Sequence, residues 1–533
     1  MLKRRGFVLV LLVVLVALVA SGCGQPQNNG ADAEFEQSDQ LVLAIGGEPD
    51  DGFDPTIGWG RYGSPLFQST LLRRDDDLNV ENDLATDYEV SEDGLVWTVS
   101  IRDDVVFSDG EPLTADDVVY TFLTAKESGS VVDLNVLSDA VALDETTVEF
   151  TLTRPQSTFI NNLITTGIVP AHAHGAGYAE DPVGSGPYKF VQWDRGQQLI
   201  VEANPEYYGQ KPYFQKITFL FLSEDGAFAA ANAGDLDLVA VPAALAQQNV
   251  TGMSLKAIES IDNRGIMFPF VEAGGQTDDG YPVGNDVTAD LALRQAINVA
   301  VDRQALVDGV LNGFGTPAYS ASDGMPWWNP DTVFADGDFD AARDILEEGG
   351  WTEVDGIWQK GELTAEFSLY YPASDQVRQS LAIAVADMLK PLGINIIVEG
   401  KSWDEIQANM YSNAVMFGWG SHDPQELYNL YSSQTAGIGW YNTGYYSNEK
   451  VDEYMELALA ATTVEEAMNY WQLAQWDGET GLSALGDAPW AWLVNLQHTY
   501  LVREGLNIGR QRIHPHGHGW PVTDNIVDWR WDD

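Results

Sequence analysis

The only cysteine of this 533-residue chain, Cys23, stands directly after an apolar leader and ahead of every segment long enough to form a domain. No disulfide can therefore join two parts of the fold, and about 500 residues must be held together by buried apolar surface. Apolar residues make up 45% of the chain and aromatic residues 11%, which is sufficient for well-filled cores. The chain is longer than a single hydrophobic core usually stabilises, which predicts two or three domains.

The first 39 residues are predicted to export and anchor the protein. Three basic residues (3–5) precede an apolar run over 7–20, which is too short to favour a spanning helix. Residues 19–23 resemble a bacterial lipobox, so 1–22 is predicted to be a lipoprotein signal peptide, Cys23 the lipid anchor and 23–39 a flexible polar tether. We therefore expect an extracytoplasmic protein held at the outer face of the cell membrane, or on the periplasmic side if an outer membrane exists. An uncleaved anchor helix and twin-arginine export remain alternatives.

The charge of the chain excludes two classes of partner. Asp and Glu number 80 against 27 Lys and Arg, a formal net charge of −53 at pH 7. Such a surface repels nucleic acid and anionic lipid headgroups, so we expect no nucleic-acid partner and membrane contact only through the lipid. The acids are spread along the chain, which favours a solvated acidic surface over a cation-collecting tail.

Hydrophobic periodicity indicates helices and strands mixed along the whole chain, without a regular alternation of the two. Segments 40–45, 95–101 and 147–153 have the apolar pattern of strands. Thr114 followed by two acids predicts a capped helix start, and residues 289–312 have helical spacing throughout. Further helices are predicted at 340–348, 380–389, 449–461 and 464–476, and a further strand at 394–398.

Three sequence blocks carry a family resemblance. Residues 84–118 include LATDYEVSEDG and FSDGEPLTADDV, residues 183–190 read VGSGPYKF, and residues 293–303 read LRQAINVAVDR. In this order they resemble the family 5 extracellular solute-binding proteins of ABC importers, the peptide- and nickel-type lipoproteins, with Tyr88 in place of the usual Trp. The resemblance extends over roughly residues 40–530.

The resemblance implies a two-lobed α/β fold of the periplasmic-binding-protein type (cluster C), with a hinge and an extra subdomain in lobe I. The expected boundaries are 40–272 for lobe I, with the inserted subdomain at about 67–183, then 273–492 for lobe II and 493–533 for the return to lobe I. The implied function is binding of a small solute between the lobes and delivery to permease subunits of the transporter. A peptide is the ligand favoured; the protein is expected to be a monomer, to use no cofactor and not to be an enzyme.

Two alternatives stay open at this stage. One is a nickel or other metal-chelate carrier of the same transporter class, and the other is a secreted enzyme. No G-x-S-x-G, H-E-x-x-H or Walker sequence is present. Residues 58–63 match G-x-G-x-x-G by letter, but no strand directly precedes them, so a dinucleotide site is rejected.

The loop 417–424 (FGWGSHDP) corresponds by resemblance to one that carries an Asp for the amine of a peptide. Here His422 stands at that position and Asp423 follows, so both are candidates; a loop histidine bonded to backbone is the alternative. Arg378 is the candidate for a ligand carboxylate, since a guanidinium matches it with two donors, although its register is displaced and an exposed arginine is the alternative. Aromatic candidates for stacking on the ligand, each also explicable by packing, are Trp59, Tyr62, Trp403, Trp419, Trp440 and Tyr441.

Histidines alternate near the C-terminus, where His514, His516 and His518 are three of the seven in the chain. In a strand they would share one face and form a candidate site for Ni, Zn or Cu. Pro515 and Gly517 oppose a regular strand, so a histidine turn packed on a lobe is the alternative. No metal is assigned on this pattern alone.

Overall fold

The computed structural model describes residues 38–63, 66–517 and 520–532. The predicted signal peptide, Cys23 and His518 lie outside the described residues. From Ser38 onward the chain forms one compact unit. Among the described residues, none of the helices combines the length and the apolar character that a membrane crossing requires.

Seven strands form the first sheet, and the unit built on it is called lobe I. The predicted strand at 40–45 is confirmed as Gln40–Ala44 and lies inside the sheet, with parallel neighbours on both sides. Its alternate residues Leu41 and Leu43 are buried in the core, as the period of a strand requires. From edge to edge the strands are Met253–Ile258, His498–Arg503, Leu238–Ala240, Gln40–Ala44, Lys216–Leu220, Gln198–Ala203 and Tyr188–Asp194.

Six strands form the second sheet, the basis of lobe II, and it is covered on both faces. Along one strand, Trp490 and Trp492 enter one core with their rings stacked 4.5 Å apart, while Ala491 and Leu493 enter the opposite core. Burial on both faces explains the nearly uninterrupted apolar run of this strand. In order the strands are Gly315–Pro317, Trp490–Leu496, Asn263–Met267, Ala414–Phe417, Glu366–Pro372 and Asn395–Lys401.

A third sheet of four antiparallel strands forms a separate subdomain. Its order is Ala85–Val90, Val96–Ile101, Thr147–Leu152 and Leu137–Asp144. The helix Ala115–Ser128 packs on it, and its start is the predicted one: Thr114 and Asp117 form a reciprocal capping box. The smaller sheets are Leu72–Arg74 with Val80–Asn82, Gly275–Gln276 with Pro282–Val283, Thr352–Val354 with Ile357–Lys360 and Leu363–Thr364, and Leu506–Asn507 with Arg530–Trp531.

One predicted helix is wrong in extent. The segment 289–312 forms two helices, Leu291–Ala300 and Arg303–Val310, because Asp302 leaves the helical conformation and its carboxylate caps the second helix by accepting from the Ala305 N–H. The remaining α-helices are Phe159–Thr165, Glu224–Ala233, Ala243–Ala246, Phe339–Glu348, Gln376–Leu389, Trp403–Asn409, Gln425–Tyr431, Glu449–Ala460 and Val464–Gln475.

The chain passes between the first and second sheets through very short connections. Residues 259–262 join strands Met253–Ile258 and Asn263–Met267, and Gln497 alone joins Trp490–Leu496 to His498–Arg503. The two passages are bonded to each other, since the Leu496 N–H donates to the Asp262 carbonyl at 2.9 Å. We call residues 259–262 and 497 the lobe crossing. The residue boundaries expected for the lobes and the subdomain remain predictions.

Candidate functional site

A cavity of about 620 Å³ lies between lobe II on one side and lobe I with its subdomain on the other. Its size falls within the usual range of small-molecule sites. The lobe I side comes from the segments 55–63 and 68–77, the subdomain from 131–133 and 156–166, lobe II from 419–429 with Tyr441, and the C-terminal return from 510–528. We call it the central cavity.

The loop that carries the lobe II wall is fixed to the lobe crossing. It follows strand Ala414–Phe417, and the Trp419 N–H donates to the Asn263 side-chain oxygen at 2.9 Å. Gly420 has φ +141°, and a Cβ there would lie 2.1 Å from the Ile261 carbonyl oxygen, so only glycine fits. The loop therefore enters the cavity in one defined direction.

Two carboxyl groups of this loop and the following helix face the cavity. Asp423 accepts from the Asn161 side-chain amide at 2.8 Å and from the Gln425 N–H at 2.9 Å. Glu426 accepts from the N–H groups of Gly420 and Ser421 at 3.1 and 3.2 Å. Burial raises the pKa of Asp423 to about 7 and that of Glu426 to about 8, because a charged carboxylate loses its hydration there. A ligand cation would restore the charged form of either group.

The two walls of the cavity contact each other directly. The Thr158 hydroxyl donates to the Gln425 side-chain oxygen at 2.9 Å, and the Arg74 guanidinium donates to the His422 carbonyl at 2.7 Å. The Asn161–Asp423 bond also joins the subdomain to lobe II. The cleft is therefore closed, and residues far apart in sequence form one site.

Two buried polar atoms on the cavity wall lack a hydrogen-bond partner among the described residues. They are the indole Nε1 of Trp419 and the Nε2 of His422, both on the same loop. Burial, together with the nearby Arg512 and Arg74, holds the pKa of His422 well below its usual range, so its ring is neutral. One donor and one acceptor are thus shielded from solvent at the cavity without a protein partner, an arrangement that a bound ligand can satisfy.

The cavity is also lined by arginines, although the chain as a whole is acidic. Arg73 pairs with Glu81 at 3.0 Å, and Arg512 pairs with Asp524. Arg61 forms no ion pair with any described residue, and its guanidinium lies 4.6 Å from the centre of the Tyr62 ring. Arg61 is therefore a cation available to a ligand at the cavity wall.

Six of the candidate residues chosen from the sequence meet at this cavity. They are Trp59, Tyr62, Trp419, His422, Asp423 and Tyr441. Sequence reasoning missed Arg61, Asn161 and Glu426, which come from three distant segments. Arg61 and Glu426 had a local signal, since Arg61 adjoins Tyr62 and Glu426 lies three residues after Asp423; Asn161 had none.

Arg378, Trp403 and Trp440 do not line the central cavity. Arg378 is buried at the start of helix Gln376–Leu389 and pairs with Asp375, which also caps that helix. Trp403 stacks on Phe417 and meets Trp440 edge-on at 5.4 Å. These positions give no support to direct ligand contact by the three residues; the two tryptophans pack on each other, and Trp403 is 42% exposed at the surface.

The C-terminal histidines lie at the lobe crossing. His514 and His498 face each other through their Nδ1 atoms at 3.0 Å, and the His516 Nδ1 lies 2.5 Å from the Asp262 carboxylate. Burial acts to raise the pKa of Asp262, but Arg264 and His516 hold it well below its usual range. Within residues 38–63, 66–517 and 520–532, no three His, Cys, Asp or Glu side chains converge on a metal position.

Comparison with known proteins places this geometry in a family. Residues 79–439 match the model of the bacterial extracellular solute-binding proteins, family 5. Protein XP55 of Streptomyces lividans is 33% identical over 509 residues, covering 92% of this chain and 90% of the relative. Oligopeptide-binding protein AppA of Bacillus subtilis is 27% identical over 518 residues, covering 89% and 92%.

Solved structures agree on the fold. AppA of Bacillus subtilis, in complex with a nonapeptide, superposes with a TM-score of 0.70 at 25% identity, over 93% of this chain and 99% of that one. NikZ of Campylobacter jejuni, in complex with Ni(L-His), superposes with a TM-score of 0.76 at 24% identity, over 92% and 99%.

The chain therefore belongs to the family 5 bacterial extracellular solute-binding proteins. The resemblance found in the sequence and the two-lobed α/β fold are both confirmed. The protein is an extracytoplasmic solute-binding component of the ABC importer type, and the central cavity is its candidate ligand site.

Proposed function

We propose that this protein binds a peptide with a free amino terminus in the central cavity and delivers it to the permease subunits of an ABC importer. The observation that carries the proposal is the pair of buried carboxyl groups, Asp423 and Glu426, on the loop that closes the cleft. An ammonium group is the ligand chemistry that gives such carboxylates a charged partner without water.

The other walls suit the rest of a short peptide. Arg61, which has no ion-pair partner among the described residues, can take the terminal carboxylate with its planar set of donors. Trp59, Tyr62 and Tyr441 supply aromatic surface for side chains of varied shape. The unpartnered Trp419 Nε1 can donate to a peptide carbonyl.

Three further features belong to the same proposal. Cys23 carries lipid and forms the only attachment to the membrane. The protein acts as a monomer, since the site is complete within one chain. The protein releases its ligand chemically unchanged. The family consists of solute-binding proteins, and a cleft that closes around a ligand serves to capture and transfer it.

A metal chelate is a second candidate ligand, and one observation favours it. The Nε2 of His422 is neutral, buried and without a hydrogen-bond partner among the described residues, at the cavity wall. A neutral imidazole nitrogen can complete the coordination of a nickel or zinc chelate. No protein residue other than His422 would be needed as a ligand in that case.

Calorimetry separates the two candidates. Pools of tripeptides and tetrapeptides are titrated with a free and with an acetylated amino terminus, beside Ni²⁺ and Zn²⁺ with and without L-histidine. The proposal expects binding of the free peptides and a large loss on acetylation, and it expects mass spectrometry to recover the peptide intact. Binding only of the metal chelate would replace the proposal with the second candidate, and cleavage of the peptide would make the protein an enzyme.

A further inference from the structure

A second cavity of about 710 Å³ adjoins the central cavity. The two share a common wall, because five residues line both of them: Asp76, Asp77, Arg510, Gln511 and Arg512. On its far side the second cavity is bordered by residues 256–259, by 506–509 and by Gly324, which follows helix Arg303–Val310 in the chain. We call it the edge groove, since residues 256–258 belong to the edge strand of the first sheet.

That strand, Met253–Ile258, pairs on one side only, with His498–Arg503. The Glu504 N–H donates to the Gly252 carbonyl, so in an antiparallel ladder the backbone of every second residue from Gly252 onward faces the partner strand. The backbone groups of Leu255 and Ala257 consequently point away from the sheet. No described residue forms a hydrogen bond with them.

One contact in the wall between the two cavities, an ion pair at the surface, contributes little stability. Arg510 and Asp77 form an ion pair at 2.5 Å, and both side chains are 63% exposed. Exposed pairs of this kind add little stability and are readily replaced by other contacts. Beyond this pair, Lys256 stands in the groove without an ion-pair partner among the described residues.

We propose that the edge groove holds the carboxyl-terminal part of a peptide that is too long for the central cavity. The peptide passes beneath the Arg510–Asp77 pair and continues in extended form along the free edge of Met253–Ile258. There its backbone N–H and C=O groups bond first to Ala257, which lines the groove, and then to Leu255 one step farther along the same strand edge, as an added strand. Its carboxylate meets Lys256.

The inference rests on the proposed function and narrows it to longer peptides. An unpaired strand edge offers donors and acceptors at the spacing of an extended chain, which no compact solute or metal chelate can match. Continuity with the central cavity identifies the occupant as the same ligand and not as a separate protein.

Cysteine protection tests the groove directly. In a Cys23→Ser background the full chain has no other cysteine, so Ala257→Cys places a single thiol in the groove, and Val464→Cys, 65% exposed on a lobe II helix, is the matched control. Each is labelled with a maleimide in the presence of the best tetrapeptide from calorimetry, or of the same peptide extended by five alanines.

The extended peptide should slow the labelling of the groove thiol severalfold, whereas the tetrapeptide, which closes the same cleft, should leave it unchanged. The labelling rate of the control thiol should change with neither peptide. Equal labelling with both bound peptides would overturn the edge groove and leave the proposed function intact. If peptides of neither length bind, the proposed function fails and this inference fails with it.

A backbone variant gives a second readout. Ala257→Pro removes the one N–H of that residue that faces the groove, at an edge position where proline is tolerated. The variant should bind the extended peptide about tenfold more weakly because one hydrogen bond is lost, and its affinity for the tetrapeptide should be unchanged. Equal affinity of the variant and the parent chain for the extended peptide would contradict strand addition.

Discussion

Replacement of Asp423 by asparagine removes one charge and keeps the shape of the side chain. The Asn161 amide, which donates to Asp423 at 2.8 Å, can still donate to the amide oxygen of the variant, so the cleft should close as before. A carboxylate that pairs with a buried ammonium is worth about 2–5 kcal/mol of affinity. Asp423→Asn should therefore lower the affinity for a free-amine peptide by about 30-fold to several-thousandfold at pH 8, since each 1.4 kcal/mol of binding free energy is a factor of ten in Kd.

The pH dependence of binding gives the sharper test. The pKa of Asp423 is raised to about 7 by burial, so below that pH the carboxyl must lose a proton before it can pair with an ammonium group. The affinity of the parent chain should fall by up to about tenfold per pH unit below pH 7, with proton release that calorimetry detects in buffers of different ionisation enthalpy. The variant should lose the part of this dependence that Asp423 contributes.

Folding stability should depend on pH in the opposite direction to ligand affinity. An acid whose pKa rises from 3.8 in the unfolded chain to about 7 in the folded one binds more protons when folded, so its contribution to stability falls as the pH rises from 3.8 to 7. The unfolding temperature of Asp423→Asn should accordingly rise relative to the parent chain over that range.

Asp133→Asn is the matched control, because Asp133 is an exposed carboxylate on the rim of the same cavity. It should change peptide affinity only slightly at low salt. The reasoning is refuted if Asp423→Asn binds a free-amine peptide within twofold of the parent chain at pH 8, or if the control loses as much affinity as the variant.

Four other outcomes are expected. Arg378→Ala should lower the unfolding temperature by several degrees, because it breaks a largely buried pair with Asp375, and should leave peptide affinity nearly unchanged; loss of binding at full stability would restore a direct ligand role. The ligand-free protein is expected to open this cleft in solution, so peptide binding should reduce the radius of gyration measured by scattering, and a constant radius at saturation would contradict closure by the ligand. The unfolding temperature should rise as NaCl goes from low to molar concentration, because the net charge of −53 repels itself and salt screens it over about 8–10 Å at 0.1–0.15 M; a flat curve would mean that the acids do not limit stability. Cys23→Ser should release the protein from membranes, and full membrane retention of the variant would contradict the lipid anchor.

Local sequence patterns predicted individual elements well where a cap or an alternation set their limits. Thr114 with its following acids marked the start of Ala115–Ser128, and alternation in 95–101 and 147–153 predicted Val96–Ile101 and Thr147–Leu152. The prediction of a single helix over 289–312 was wrong for a local reason as well. Asp302 is compatible with a helix interior and with a cap, and the apolar spacing of the segment does not distinguish between the two.

The site was predicted in part, and the missed half has a physical cause. His422 and Asp423 could be chosen because they lie in one loop whose neighbours resemble a known pattern. Arg61 and Asn161 come from segments more than 250 residues away from that loop. Arg61 adjoins the chosen Tyr62 but carries no motif of its own, and nothing in the local sequence of Asn161 marks it. Arg378 was chosen as a scarce cation, but its side chain follows its own helix and pairs with Asp375 three residues earlier.

The sequence by itself determined the features that depend on order, composition and local bonding: the acidic composition, the family and most of the helices and strands. Only the tertiary structure decided which residues share the cavity, because cleft closure brings together loops from both lobes and the subdomain. It also decided the protonation of Asp423 and Glu426. The same side chains in open solvent would be ionised at neutral pH, whereas burial in the closed cleft raises the pKa of Asp423 to about 7 and that of Glu426 to about 8.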